Sequence, residues 1–183
     1  MTNFTTYRID TAPEGSKPFL ESAKKAFGIE ANLMGNMAEA PSLLEGYLTL
    51  NGIFGKADLS ETERQIILMT NNRLNGCTYC MAAHTAISKG AGVPDDVIES
   101  LRAGTPIADP KLEALRVFAA KVNESRGWLE DGDVEALLAA GYTKQTVLEV
   151  VLGTSLKLMS NYTNHITGTQ LDAAFKPTEW SAE

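Results

Sequence analysis

One stretch of the sequence, residues 61–74, restricts the possible folds more than any other. It follows Ser60, and Glu63 stands three residues after that serine, which is the spacing of a capping box at the start of a helix. Residues 66–69 then read Ile-Ile-Leu-Met, so apolar side chains fall on nearly every side of the helix. A helix that is apolar all round is a buried one. The sequence therefore predicts a central helix that other helices surround.

Several further segments carry helix signals, and no segment shows the sustained alternation of polar and apolar residues that is typical of a β-strand. Prolines and capping residues mark their starts, and glycines mark most of their ends. We therefore predict an all-α bundle of about seven or eight helices and leave residues 29–40 unassigned. The predicted helices cover residues 16–27, 41–54, 61–74, 77–89, 94–104, 110–125, 133–140 and 144–167.

The helical domain is flanked by two polar segments. Residues 1–15 are irregular and are expected to form a surface arm. The helical domain is expected to span residues 16–168, and residues 169–183 are expected to form a tail. Two large apolar residues of the tail, Phe175 and Trp180, are expected to hold it against the body or against a neighbouring subunit.

The bulk composition argues against several classes of function. With 23 acidic and 16 basic residues the chain has a formal net charge of −7, which disfavours nucleic acid or an anionic membrane as a partner. No apolar run approaches the roughly 20 residues that span a bilayer, and the first residues lack the pattern of a secretory signal. Two cysteines in 183 residues do not make a disulfide framework; in a reducing compartment such a pair is typically catalytic or metal-binding. We expect a cytoplasmic protein.

Reactive side chains are concentrated in residues 75–84, Asn-Gly-Cys-Thr-Tyr-Cys-Met-Ala-Ala-His, which hold both cysteines and one of the two histidines. Asn75-Gly76 ends the central helix, so a new helix begins at the first cysteine. Cys77, Cys80 and His84 are then three and four residues apart and share one helix face. Thiols at this spacing can form a strained, reducible disulfide, and a helix N-terminus stabilises a thiolate. We predict a redox dithiol whose Cys80 proton is taken by His84.

Other interpretations of these residues stay open. Two buried cysteines without a function are one of them, since free cysteine is often a core residue. A zinc site is another, with Cys77, Cys80 and His84 as ligands and His165 or a water as the fourth. His165 and Asn161 lie one turn apart on the last helix, where they are either satisfied core residues or line the cysteine pocket from across the bundle. We favour the dithiol and expect no metal or other cofactor.

The same residues carry a resemblance to a known family. Gln65 stands twelve residues before Cys77-Thr-Tyr-Cys-Met-Ala-Ala-His84, which follows Leu-Asn-Gly and precedes Gly-Ala-Gly-Val. This pattern resembles the alkylhydroperoxidase AhpD-like core of the carboxymuconolactone decarboxylase superfamily, best over residues 40–100. Residues 141–165, which end in Asn-Tyr-Thr-Asn-His, resemble the longer peroxidase-related branch of that superfamily. The resemblance implies an AhpD-like helical bundle.

The resemblance also implies a thiol peroxidase. Cys80 would attack a small-molecule hydroperoxide and become a sulfenic acid, Cys77 would resolve it as a disulfide, and an external dithiol reductant would restore the pair. His84 would belong to a proton relay. Proteins of this family form helical homo-oligomers, so we expect a dimer, trimer or hexamer.

Two positions depart from the peroxidase pattern. The relay glutamate of the family is Gln65 here, and an amide can hold His84 or a water in place but does not shuttle a proton. The histidine sometimes found between the cysteines is Tyr79, whose usual pKa of about 10 makes it a poor base at neutral pH. Glu63 lies two residues from Gln65 and is expected to serve the helix cap instead. Two alternatives therefore accompany the peroxidase: a metal-binding or redox-sensing protein without turnover, and a decarboxylase- or isomerase-like enzyme of the wider superfamily.

Overall fold

The computed structural model describes residues 3–181, and these residues form α-helices and short 3₁₀ helices without a strand. The 3₁₀ helices are Glu14–Ser16 and Ala173–Thr178. Eight of the described helices have seven or more residues, so the predicted all-α bundle is confirmed. None of them is both long and apolar enough to cross a membrane. The α-helices are α1 Lys17–Phe27, α2 Asn32–Met37, α3 Pro41–Phe54, α4 Glu61–Leu74, α5 Thr78–Gly90, α6 Asp95–Ala103, α7 Pro110–Glu124, α8 Asp131–Ala139 and α9 Lys144–Thr167.

Helix α4 lies at the centre of the bundle, as its sequence predicts. It packs against α5, α6, α7 and α9, and every residue from 65 to 72 is buried. The Ser60 hydroxyl accepts a hydrogen bond from the Glu63 amide at 3.2 Å, and the Glu63 carboxylate accepts one from the Ser60 amide at 2.8 Å, which confirms the capping box. Helix α9 approaches α4 closely at Gly153, where a Cβ atom would lie 2.7 Å from Ile67 Cγ2. Because of this close crossing, α9 also reaches the dithiol helix α5.

Helix α2 has no predicted counterpart, because its own sequence does little to specify a helix. Its six residues, Asn-Leu-Met-Gly-Asn-Met, have no side-chain cap. Tertiary contacts stabilise it: residues 33–37 are buried, and the Asn36 amide donates to the hydroxyls of Thr167 and Thr169, each at 2.8 Å. A helix this short depends on such packing rather than on intrinsic propensity.

Both flanking segments pack against the helical domain over their described parts. The predicted arm begins with residues 1–2 and the predicted tail ends with residues 182–183, which lie outside the described residues. The arm donates a backbone hydrogen bond from Tyr7 to α2. In the tail Phe175 packs against α5, and the Trp180 indole donates to a backbone carbonyl of α6 at 3.1 Å. The tail is therefore held against the body of the same chain.

Candidate active site

The two cysteines lie at the start of α5, and both are buried. Gly76, with a φ of 64°, turns the chain after α4, and Cys77 is the N-cap residue of α5. Cys80 lies in the first helical turn, where unpaired amides and the helix dipole favour an anion. Both thiols are free, and Cys77 and Cys80 are only 1% and 2% exposed. The predicted segment therefore presents two shielded thiols at a helix N-terminus.

Helix α9 faces these thiols with a row of polar side chains that the sequence analysis did not select. Asn164 Nδ2 donates to Cys80 Sγ at 3.1 Å and lies 3.6 Å from Cys77 Sγ. The Ser160 hydroxyl is 3.8 Å from Cys80 Sγ. Lys157 belongs to the same row and is only 1% exposed. These residues are three or four positions apart, so they share the face of α9 that covers the dithiol.

Hydrogen bonds connect Lys157 through two side chains to a carboxylate. The Lys157 ammonium lies 3.0 Å from His84 Nε2, and His84 Nδ1 lies 2.8 Å from Gln65 Oε1. Because an ammonium can only donate, Nε2 accepts, and we assign the ring proton to Nδ1, which donates to Gln65. The Gln65 amide donates in turn to Glu61 Oε1 at 2.8 Å. An amide thus separates the histidine from the nearest carboxylate in the chain of hydrogen bonds.

Burial and the charge of Lys157 set the protonation of the site. Burial first, and the Lys157 charge second, hold the pKa of His84 well below its usual value, so the ring is neutral at pH 7. For Cys80, burial opposes ionisation, but the hydrogen bond from Cys77 and the charge of Lys157 outweigh it and lower the thiol pKa to about 5. The hydrogen bond to Cys80 and burial raise the pKa of Cys77. At neutral pH Cys80 is therefore a thiolate and Cys77 the thiol that donates to it.

A cavity of about 440 Å³ opens beside Cys80, and its walls are mainly apolar. Its size fits an organic molecule better than a bare peroxide of two oxygens. The polar side chains that line the cavity lie where α4, α5 and α9 pack together. The lining includes Leu33, Met34, Tyr47, Phe54, Phe175, Cys80, Gln65, His84 and Lys157.

Tyr79, the residue before Cys80, ties the cysteine pair to the tail. Its hydroxyl donates to Asp172 Oδ2 at 2.5 Å, and its ring meets Phe175 edge-on, with 6.0 Å between ring centres. Burial and the Asp172 carboxylate raise the pKa of Tyr79, which makes it a neutral donor and not a base. Asp172 also accepts from the Asn32 amide at the start of α2. Tyr79 is thus a structural link between the dithiol, the tail and α2.

Asn161 and His165, both predicted to support the site, have different positions. Asn161 is buried and braces the loop before Cys77: it donates to Asn72 at 3.0 Å and accepts from Asn75 at 2.8 Å. His165 is exposed, so the expectation of a core residue or a pocket residue is wrong. One residue along a helix turns a side chain by about 100°, and Asn164 has the inward position instead.

Because His165 is exposed, it cannot serve as the fourth ligand of the zinc site that the sequence left open. No group of three or more histidine, cysteine or acidic residues between 3 and 181 is arranged to hold a metal ion. Three residues of the site, Lys157, Ser160 and Asn164, were not predicted from the sequence. One sequence signal indicates them. They form a polar row at helical spacing on a helix that is otherwise rich in apolar residues, which is the pattern of a buried polar face.

Fold and site together define an all-α protein with a thiolate and a thiol buried at a helix N-terminus. Cys77 lies beside Cys80, as their spacing indicated, and Gln65 contacts His84, as the family resemblance implied. Residues 41–121 match the carboxymuconolactone decarboxylase family. This match confirms the predicted resemblance.

Solved structures with the same fold cover nearly the whole chain. The AhpD core of a peroxidase-related protein from Ralstonia eutropha JMP134 is 20% identical, with a TM-score of 0.83 over 94% of this chain and 93% of that one. A peroxidase-related protein from Silicibacter sp. TM1040 is 21% identical, with a TM-score of 0.79 over 96% and 97%. The debrominase Bmp8 in complex with 2,3,4-tribromopyrrole is 18% identical, with a TM-score of 0.81 over 97% and 96%. No curated protein matches the chain in sequence.

Proposed function

We propose that the protein is a dithiol oxidoreductase that reduces an organic hydroperoxide. One observation carries the proposal: Cys77 and Cys80 lie buried together at a helix N-terminus, and Cys80 lines an apolar cavity large enough for an organic substrate. A low-pKa thiolate next to a second thiol is the arrangement that redox-active cysteines use. The tribromopyrrole complex of a protein with this fold is consistent with organic substrates in such cavities.

The reaction takes two steps in the protein. The Cys80 thiolate attacks the terminal peroxide oxygen; a sulfur–oxygen bond forms, the oxygen–oxygen bond breaks, and the alkoxide leaves. The alkoxide takes a proton from solvent, and the Lys157 ammonium stabilises its charge while it forms. The Cys77 thiol then attacks the sulfenic sulfur, a disulfide forms, and water leaves with the Cys77 proton.

An external dithiol completes the cycle. It supplies two electrons, becomes a disulfide itself, and restores the Cys77 thiol and the Cys80 thiolate with release of one proton. Both sulfurs are buried, so the reductant has to be small enough to reach Cys80 through the cavity that Cys80 lines. The overall reaction converts a hydroperoxide and a dithiol into an alcohol, water and a disulfide.

The sequence predicts that His84 takes the proton of Cys80, but here the charge of Lys157 favours the ionised thiol instead. His84 is held neutral and accepts from the Lys157 ammonium, so it positions that cation. Gln65 fixes the ring from the other side. Because the hydrogen bond from Cys77 and the charge of Lys157 together lower the pKa of Cys80, the site does not need a relay carboxylate at position 65 to remove the thiol proton.

Reductive dehalogenation is the second candidate, since the cavity volume also fits a halogenated aromatic substrate. The debrominase Bmp8 has the same fold. In this reaction Cys80 takes the halogen from an aromatic carbon, the carbon gains a proton, and Cys77 displaces halide to give the same disulfide. The two candidates therefore share the dithiol and differ in the bond that is broken.

The test is consumption of cumene hydroperoxide with dithiothreitol as the donor. We expect turnover by the wild type and loss of turnover in Cys80→Ser. When peroxide is added without dithiothreitol, Cys77→Ser should accumulate a sulfenic acid and form no disulfide, as seen by mass spectrometry. Lys56→Ala, at an exposed position outside α9, is the control and should match the wild type. Equal rates for wild type and Cys80→Ser would refute the proposal. Halide release from a brominated pyrrole, without peroxide turnover, would select the second candidate.

We also propose that the chain forms a homo-oligomer. An apolar row on the outer face of α9 supports self-association, since Leu148, Val151, Tyr162 and Ile166 are 70%, 48%, 53% and 69% exposed. Light scattering coupled to size exclusion tests it. We expect an assembly larger than one chain, and Ile166→Glu should shift it toward the monomer. A monomeric wild type would contradict the proposal.

A further inference from the structure

Lys157 is a buried cation without a carboxylate partner. Its ammonium contacts His84 Nε2 at 3.0 Å, and that ring is neutral. Among residues 3–181 no carboxylate lies within ion-pair distance of it. Glu61, the nearest acid along the hydrogen-bonded row, is occupied by Gln65 and by Arg64 at 2.8 Å. A buried charge without a counter-charge is strongly destabilising, so the site needs an anion.

In the reduced protein that anion is the Cys80 thiolate. The Lys157 charge acts on both thiols and favours ionisation of Cys80. Formation of the Cys77–Cys80 disulfide removes the thiolate, because both sulfurs become neutral. The Lys157 ammonium then loses its anionic neighbour, and the neutral His84 does not replace it. Oxidation therefore raises the net charge at the cavity floor by one unit.

The cavity defines the anion that fits there. Lys157 Nζ has three N–H groups, and His84 accepts one of them, so two remain for a ligand oxygen pair such as a carboxylate. The walls around it are apolar and enclose about 440 Å³. The protein as a whole has a net charge of −7 and repels anions. Anion binding here must therefore come from the local cation together with burial of an apolar body.

We propose that oxidation of the cysteine pair turns the cavity into a binding site for an organic anion, with the carboxylate of an aromatic or aliphatic acid on Lys157 and its apolar body against the cavity walls. The proposal rests on the dithiol chemistry proposed above, because it needs the disulfide. Linkage makes the effect reciprocal: an anion that binds the oxidised protein more tightly opposes re-reduction of the disulfide by the same factor. The site would then let organic acids hold the protein in its oxidised state.

The experiment compares two redox states and two probes. Protein reduced with a phosphine, or oxidised with diamide and freed of reagent, is titrated calorimetrically with 2-naphthoate and with uncharged 2-naphthalenemethanol. Loss of two hydrogen masses and of both free thiols verifies the disulfide. We expect naphthoate to bind the oxidised protein more tightly by about tenfold or more. The uncharged probe should bind both states equally.

Lysine variants identify the charge that is responsible. Lys157→Met should abolish the preference for the oxidised state, and Lys157→Arg, which keeps the cation, should retain it. Lys56→Met removes an exposed lysine and the same net charge, so it should behave as the wild type. Equal naphthoate affinity in both states with a verified disulfide overturns the inference, as does a preference that survives in Lys157→Met. Failure of the thiols to form a disulfide at all would instead refute the dithiol chemistry itself.

Discussion

Replacing Lys157 by methionine tests the electrostatic account of the site most directly. The lysine is 1% exposed, and methionine fills a similar volume without the charge, so we expect the fold to persist. The Cys80 thiol pKa is about 5 in the intact site, with burial opposing ionisation and Cys77 and Lys157 favouring it. Without the cation, only hydrogen bonds oppose the rise in the Cys80 pKa that burial causes. We expect the pKa of Cys80 to rise from about 5 toward the value of a free thiol, about 8.5.

The assay is the pH dependence of Cys80 alkylation by iodoacetamide, a small reagent, followed by mass spectrometry. The alkylation rate at a single pH does not reveal the pKa of Cys80. At pH 7 a thiol of pKa about 8.5 is only about 3% ionised, but its thiolate is intrinsically more nucleophilic by a similar factor of roughly 30, so the two effects nearly cancel. The midpoint of the pH profile is free of this compensation.

The control is Lys56→Met, an exposed site with the same change of charge. It should keep the wild-type midpoint near pH 5. Circular dichroism at each pH verifies that the variants are folded. If Cys80 in Lys157→Met also titrates near pH 5, the buried cation does not stabilise the thiolate. That result would refute the proposed roles of Lys157 in the chemistry and in anion binding.

Three further predictions concern the relay, the packing and the pH dependence of stability. Gln65→Glu places a carboxylate on the Nδ1 proton of His84 and should raise the His84 pKa by about 1–3 units in an NMR titration; an unchanged pKa would contradict the hydrogen bond. Gly153→Ala forces a Cβ against α4 and should cost about 1–3 kcal/mol in urea unfolding, whereas Gly52→Ala, with open space in α3, should be neutral or stabilising by up to about 1 kcal/mol. The folded pKa of Cys80 is about 5 and the unfolded one about 8.5, so the reduced protein should gain stability as pH rises between these values; Cys80→Ser should flatten that part of the thermal-unfolding profile, and an equal slope would refute the linkage.

The framework of the site could be predicted from sequence because its signals are local. The capping box at Ser60 and Glu63, the turn at Asn75-Gly76 and the helical spacing of the cysteines all act within a few residues. These features place the dithiol at a helix start between defined helices. They say nothing about what packs against it from a distant part of the chain.

The charge of the site could not be predicted in this way. Lysine on a helix is nearly always exposed, but Lys157 is buried, one turn after the close approach of α9 to α4 at Gly153. Long-range packing also decides which of two neighbouring residues is buried. His165, predicted as a core or a pocket residue, is exposed, and Asn164 faces the sulfurs. A rotation of one helical position cannot be read from residue types alone.

The bond between Tyr79 and Asp172 has a practical consequence for handling the protein. Asp172, in the carboxyl-terminal segment, is bonded to Tyr79, one of the two residues between the cysteines. A change that displaces this segment therefore also disturbs the start of the dithiol helix. Preparations that differ only in this segment are expected to differ in thiol reactivity, although their helical domains are identical in sequence.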